Sequence, residues 1–224
     1  IRERLLYSFE KAERTRFDDK KKRFTTFVIV GAGPTGVEMA GAIAEMTRKT
    51  LTNEFQSFNP AESKIILVEG TNCVLNRYNE KLSQVAQKDL EKMGVEVRLN
   101  TMVTHIDKNG VKIGDEFIET DNIIWAAGNT AAPLIRNVTD TTNKFGQAEV
   151  KPDFSIQEDD TVFCVGDCTY LKDTNDVIVP AIAPAAMQAG KFVAKQIVND
   201  LKNKDRDLFT YFDKGKMATI GHSR

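Results

Sequence analysis

The chain has 224 residues, 41% apolar, 28% charged and 8% aromatic, which places it among ordinary soluble α/β or α+β proteins and excludes disordered, collagen-like and disulfide-scaffold classes. Its 31 Lys and Arg against 32 Asp and Glu leave a formal charge of −1, which removes the attraction on which general nucleic-acid binding depends, so no nucleic-acid partner is expected. The three cysteines, Cys73, Cys164 and Cys168, form no CxxC and suit neither a zinc site nor a secreted disulfide framework, so a reducing compartment is expected. No run approaches about 20 apolar residues, so no membrane-spanning helix is expected.

Residues 1–22 carry Leu5, Leu6, Phe9, Ala12 and Phe17 near helical spacing among many charges and read as one amphipathic helix. The DDKKKR run from Asp18 to Arg23 reads as a solvated boundary. Phe24 to Val30, FTTFVIV, is apolar and β-branched without alternation, the pattern of a parallel strand covered on both faces. A helix is predicted from Pro34, a second buried strand at Lys64 to Glu69, a helix at Leu82 to Met93 ending at Gly94, and a third strand at VEVRL. This β-α-β-α-β order is that of a nucleotide-binding half. From Thr101 the period shifts toward two, with Asn109-Gly110 as a hairpin turn, which predicts short antiparallel strands returning to Ile123–Trp125. A further strand is predicted at Thr161 to Val165 and a helix from about Pro184 to Leu201.

The sharpest motif is Gly31-Ala-Gly33-Pro-Thr-Gly36, placed directly between a buried strand and a helix. Gly31 permits a tight exit from the strand, Gly33 leaves room for a pyrophosphate, and Gly36 lets helix and strand pack closely. The helix N-terminus offers unpaired N–H groups to the anion. An ordinary structural glycine turn is the alternative. At the end of the next strand, Glu69 can accept hydrogen bonds from adenosine ribose hydroxyls and oppose a 2′-phosphate, which favours NADH over NADPH; as a strand-end carboxylate it is expected to be exposed. The rival is a mere surface charge. IIWAAG, ending in Ala127 and Gly128, suits a chain passing beneath a cofactor and equally a crowded turn. TVFCVGDC ends in Gly166-Asp167, where Asp167 could bind polar parts of a ligand or cap a turn. His105 and His222 lack metal-ligand partners at useful spacing, so no metal is expected.

In this order the pieces resemble the two-dinucleotide-binding-domain flavoprotein reductases. More narrowly, VIVGAGPTGVEMAGAIAEM, VPAIAPAAMQAGKFVA and FTYFDKGKMATIG are similar to the type II NADH:quinone oxidoreductases. The resemblance implies an α/β fold, a Rossmann-like NADH-binding domain plus the second part of an FAD-binding domain, with a linker helix at 1–23, the NADH domain at 24–127 and the FAD-domain part at 128–224. It places Gly31, Gly33, Pro34, Thr35, Gly36 and Glu69 on NADH, Glu38 near the nicotinamide, and Ala127, Gly128, Gly166, Asp167 and Ala183 on the cofactors. Gln188 takes the position of the family's quinone-site glutamine. Many relatives carry a second Gln four residues earlier, where this chain has Pro184.

The implied cofactors are FAD and NADH and the implied substrate a quinone, at the cytoplasmic side of a membrane to which the longer protein binds peripherally. A homodimer is a further expectation. The family's first glycine motif and its C-terminal amphipathic helices have no counterpart here, and the chain opens at Ile1 without Met, so a soluble piece of a longer enzyme is expected, inactive by itself. Rival readings are a sulfide:quinone or other disulfide-reductase-superfamily oxidoreductase, and a non-catalytic nucleotide-binding redox module. The first needs a redox cysteine pair, whereas Cys164 and Cys168 read as packing residues.

Overall fold

A strand that is apolar at every position needs cover on both faces, and the computed structural model, which describes residues 1–222, supplies it. Two helices, α1 (Arg2–Arg14) and α2 (Asp18–Phe24), precede β1 (Thr26–Val30), which runs into α3 (Pro34–Glu45) and a π-helical turn at Met46–Thr50. Then follow β2 (Lys64–Val68), α4 (Glu80–Lys92), β3 (Val95–Arg98), β4 (Val103–Asp107), β5 (Gly110–Ile113), β6 (Glu116–Glu119) and β7 (Asn122–Trp125). Beyond them lie two short strands, β8 (Ala148–Glu149) and β9 (Thr169–Tyr170), and the long helix α5 (Ala183–Leu201). By their contacts these elements form two compact units, Ile1–Gly128 joined by the stretch from Lys216 on, and Asn129–Gly215.

In the first unit β1 pairs in parallel with β2 and β7, and β2 with β3, giving the order β3-β2-β1-β7. Alternation along the strands feeds two cores. Phe27 and Ile29 of β1 with Ile65 and Leu67 of β2 pack against α1, α3 and α4 through Phe9, Val37, Ile43 and Leu90. Val28, Val30, Ile66 and Val68 pack instead against Val111, Ile113 and Ile118 of the antiparallel meander β4-β5-β6. The meander therefore takes the place of a helix on that face.

The sequence reading of one N-terminal helix is corrected to two, because the chain is pinned where α1 ends. The Glu13 carboxylate accepts the main-chain N–H groups of Gln56 and Ser57, at 3.1 and 3.0 Å, and the Ser57 hydroxyl. Thr15 turns extended and α2 starts afresh after Phe17. Nor does Thr161 to Val165 form a regular strand; Phe163 makes an isolated bridge to Ser155, with Ile156 N–H donating to Val162 and Cys164 N–H to Phe154. Strand character needs a partner ladder, and among the described residues this segment meets only a short one.

The second unit is built around α5. Phe209 packs edge-on against both Phe154 and Phe192, with Phe154 and Phe209 centroids 4.9 Å apart. The stretch after α5 is held beside the helix by polar side chains: fully buried Gln196 accepts the Asp207 N–H at 2.7 Å, and Arg206 reaches Asp153 and Asp200. Asp173, 7% exposed, accepts the N–H groups of Asn175, Val177 and Tyr211. Burial acts to raise the Asp173 pKa, but those three N–H bonds outweigh it and hold the carboxyl below its ordinary value.

Two outcomes follow for stability. Phe9, fully buried with rings of Phe27, Phe55 and Phe58 at 5.3 to 6.2 Å, anchors α1 to the sheet; Phe9→Ala is expected to cost about 3–5 kcal/mol in denaturant unfolding. The depressed pKa of Asp173 means that its contribution is fully present above the unfolded carboxylate value near about 4 and is lost as pH falls through the lower folded value. Asp173→Asn is expected to flatten the fall in denaturation midpoint between neutral pH and about pH 3.

Candidate dinucleotide site

Of the three motif glycines, two are demanded by the chain itself. Gly31 has φ +99°, leaves β1 with its N–H bonded to Val68, and a Cβ there would lie 2.8 Å from the Cβ of Ala127. A Cβ on Gly36 would overlap the Gly31 carbonyl oxygen. Gly33 differs: its φ of −68° suits any residue, and no atom of the chain lies within 4 Å of where its Cβ would stand. It caps α3 without a side-chain hydrogen bond, Pro34 is in the first turn, and Pro34 and Thr35 are exposed. Beside Gly33 there is thus open space and a helix N-terminus whose first N–H groups lack intrahelical acceptors.

Glu69 stands beside this loop. Its Oε2 accepts the Ala32 N–H at 2.7 Å, and its Oε1 accepts the N–H and hydroxyl of Thr71 at 2.9 and 3.0 Å. Expected exposed, it is half-buried and ties the end of β2 to the glycine loop. An ionised carboxylate offers about four lone-pair directions, so acceptor capacity is left for a ligand hydroxyl. Arg98, at the end of the neighbouring strand, is engaged by Glu96 and Glu116. The small residues of IIWAAG have a structural cause: Ala126 and Ala127 lie against Gly36 and Gly31, while Gly128 has φ +69° and open space around it. Glu38, exposed on α3 three residues beyond Thr35, accepts the Thr219 N–H at 3.3 Å.

In the second unit, Gly166 has φ +86° and a Cβ there would be 3.8 Å from Ala186 in the first turn of α5. Its carbonyl receives the N–H and hydroxyl of Thr169, so the Gly-Asp segment forms a tight turn against the helix start. Asp167 and Ala183 are exposed there, and the Asp167 carboxylate makes no ion pair among the described residues. A narrow crevice lined by Gly166, Thr169, Pro180, Ala185 and Ala186 separates turn from helix. Gln188 is committed within the chain, its Nε2 donating to the Phe212 carbonyl at 2.9 Å and its Oε1 accepting the Phe212 N–H at 3.0 Å. Cys164 is buried, and burial, with Cys168 nearby, pushes its thiol pKa up.

Sequence reasoning missed Thr71 and Tyr78. A hydroxyl two residues past the strand-end acid was a usable signal for Thr71; Tyr78 had none, because its partner Met217 lies 139 residues away. Among the described residues no group of three or more His, Cys, Asp or Glu is placed to hold a metal, and no helix is long and apolar enough to cross a membrane.

The family model for pyridine nucleotide-disulphide oxidoreductases matches residues 3–190. Type II NADH:quinone oxidoreductase Ndh of Mycobacterium tuberculosis is 38% identical over 232 residues, covering 98% of this chain and 49% of that protein. The Haemophilus influenzae type II NADH:quinone oxidoreductase is 33% identical over 197 residues, covering 87% of this chain and 44% of that one. The structure of NDH2 from Plasmodium falciparum in complex with NADH has the same fold, with a TM-score of 0.86 at 17% identity over 99% of this chain and 61% of that one. The chain thus spans about half the length of the curated relatives it matches. The glycine turn between β1 and α3 lies inside the matched region, and the chain belongs to the pyridine nucleotide-disulphide oxidoreductase family.

Proposed function

We propose that the chain is the NADH-binding part, with a portion of the flavin-binding part, of an NADH:quinone oxidoreductase. The observation that carries this reading is Gly33: neither its backbone angles nor any neighbouring atom requires glycine, so the missing side chain serves something outside the chain, at a helix N-terminus. A dinucleotide pyrophosphate fits that requirement. The α3 N–H groups at Thr35 and Gly36 bind its oxygens, Pro34 presets the first turn, and Glu69 accepts from the adenosine ribose. Glu38, held by Thr219, offers its second oxygen toward the nicotinamide end of the nucleotide. Within this reading residues 24–127 are the nucleotide domain and 1–23 its lead-in; of residues 128–224, expected as the flavin part, Asn129–Gly215 remain there and the stretch from Lys216 on joins the first unit.

The second unit fits a flavin. Gly166, Ala183 and the alanines of the first α5 turn leave an edge without side-chain bulk, and the exposed Asp167 carboxylate can accept from ribityl hydroxyls. FAD, when bound, supplies the two-electron acceptor chemistry that side chains lack. The chain's own part is to bind and orient NADH and to keep both oxygens of Glu69 and the loop N–H groups in place. Gln188 contributes to a quinone site through the fold of the 208–212 segment. The names of the relatives support quinone as the second substrate, and peripheral attachment at a membrane surface and a homodimer belong to the same reading. A sulfide:quinone mechanism is disfavoured by Cys164, whose raised thiol pKa is the reverse of what a redox nucleophile needs.

Titration calorimetry tests this directly. The chain is expected to bind NADH, and Gly33→Val to weaken that binding at least about tenfold while unfolding like the parent, since the branch enters space the chain leaves open. Gly36→Ala is expected to do the opposite, destabilising the fold by several kcal/mol because its Cβ meets backbone. Unchanged NADH affinity in folded Gly33→Val would sink the assignment. NADH is expected to bind more tightly than NADPH, and Glu69→Gln, which keeps an acceptor for Ala32 and loses the charge, to narrow that gap; equal affinities in the parent chain would contradict the role given to Glu69.

A further inference from the structure

The FTYFDKGKMATIG stretch is used by the fold at its far end in a way the proposed chemistry does not explain. Residues 216–221 lie along one face of α3 and run in its direction. The Thr219 N–H meets Glu38; a turn further on, Gly221 meets Gly41, where a Cβ would be 2.8 Å from the Gly221 nitrogen; and a Cβ on Gly221 would be 3.1 Å from a Glu45 oxygen. Ile220, 7% exposed, drops into the core beneath. The start of the stretch therefore lies toward the N-terminal end of α3, where the glycine turn is. Glu38 is one turn from Thr35 on the same side of the helix.

At that end the stretch is also fastened by the loop after β2. The Tyr78 hydroxyl donates to the Met217 carbonyl at 3.1 Å, and the Lys216 ammonium donates to the Arg77 carbonyl at 3.4 Å. Met217 itself is 83% exposed, so its side chain does not anchor the main chain. The Met217 carbonyl and the Thr219 N–H are two residues apart, so Tyr78 and Glu38 hold the two ends of one short backbone step. Burial raises the Tyr78 pKa, and the nearby Glu38 charge adds to this, so the phenol stays a donor.

We propose that Tyr78 is a positioning residue of the NADH site: through Met217 it latches residues 216–221 against α3, and the Thr219 N–H so held fixes one oxygen of Glu38, leaving the other for the nicotinamide carboxamide. The proposal rests on the NADH reading above. A carboxylate with a tethered oxygen loses less freedom on binding a carboxamide N–H than a free one, and that preorganisation favours affinity. Without the latch the site remains, with Glu38 mobile.

Tyr78→Phe keeps the ring and removes one donor. It is expected to fold as the parent does, to speed hydrogen exchange at the Thr219 amide several-fold, and to weaken NADH binding about three- to fivefold by calorimetry. Because the tyrosine acts through Glu38, the same substitution in a Glu38→Ala background is expected to leave NADH affinity unchanged. A purely structural tie would weaken binding equally in both backgrounds, and that result overturns the proposal. So does unaltered NADH affinity in Tyr78→Phe when the parent chain binds NADH. If the parent chain does not bind NADH, the function proposed above fails first and the latch falls with it as part of that site.

Discussion

No side chain fits at residue 36, because the Gly31 carbonyl oxygen already occupies the place of its Cβ, and around that crossing the rest of the first unit is arranged. With α3 pressed this close to the end of β1, the next strand over must also end in small residues, and Ala126 and Ala127 supply them. Gly31 can then turn back at positive φ while its N–H stays with β2. The loop that results is short and taut. The Ala32 N–H in that loop is met by Glu69 from the end of β2. Under the NADH-binding reading, nucleotide recognition and backbone closure share the same few atoms.

The second unit solves a different problem. It has little regular sheet, two residues in each of β8 and β9, so its irregular segments must find acceptors and donors elsewhere. Side chains take that part: Asp173 for three N–H groups, Gln196 for Asp207, and Gln188 for both polar groups of Phe212. Three phenylalanines give the apolar mass, and Arg206 joins two aspartates across the turn between α5 and the returning chain.

Sequence periodicity revealed β1, α3, β2, α4 and the meander because each depends on local pattern or on burial of both faces, and such patterns are written within ten or so residues. The break between α1 and α2 was hidden, since its cause is a bond from Glu13 to a loop 43 residues away. The segment from Thr161 to Val165 looked like a strand because it is apolar, but a strand is a relation to a neighbour. In the site, the glycine spacing, the tight exit at Gly31, the close packing at Gly36 and the acid at the end of β2 were legible, because each follows from a local strand–turn–helix pattern. The commitment of Gln188 to Phe212 was out of reach, since it depends on how the chain returns after α5.

That commitment changes how residue 188 is to be compared with its counterparts. A glutamine amide presenting one donor and one acceptor to a single residue's main chain imitates the edge of a strand, projected from a helix. Glutamate of the same length would lose the donor once ionised, and asparagine falls one methylene short. In this chain the fold alone is then enough to explain a glutamine at residue 188, which serves to fold the chain back along the helix independently of any electron acceptor.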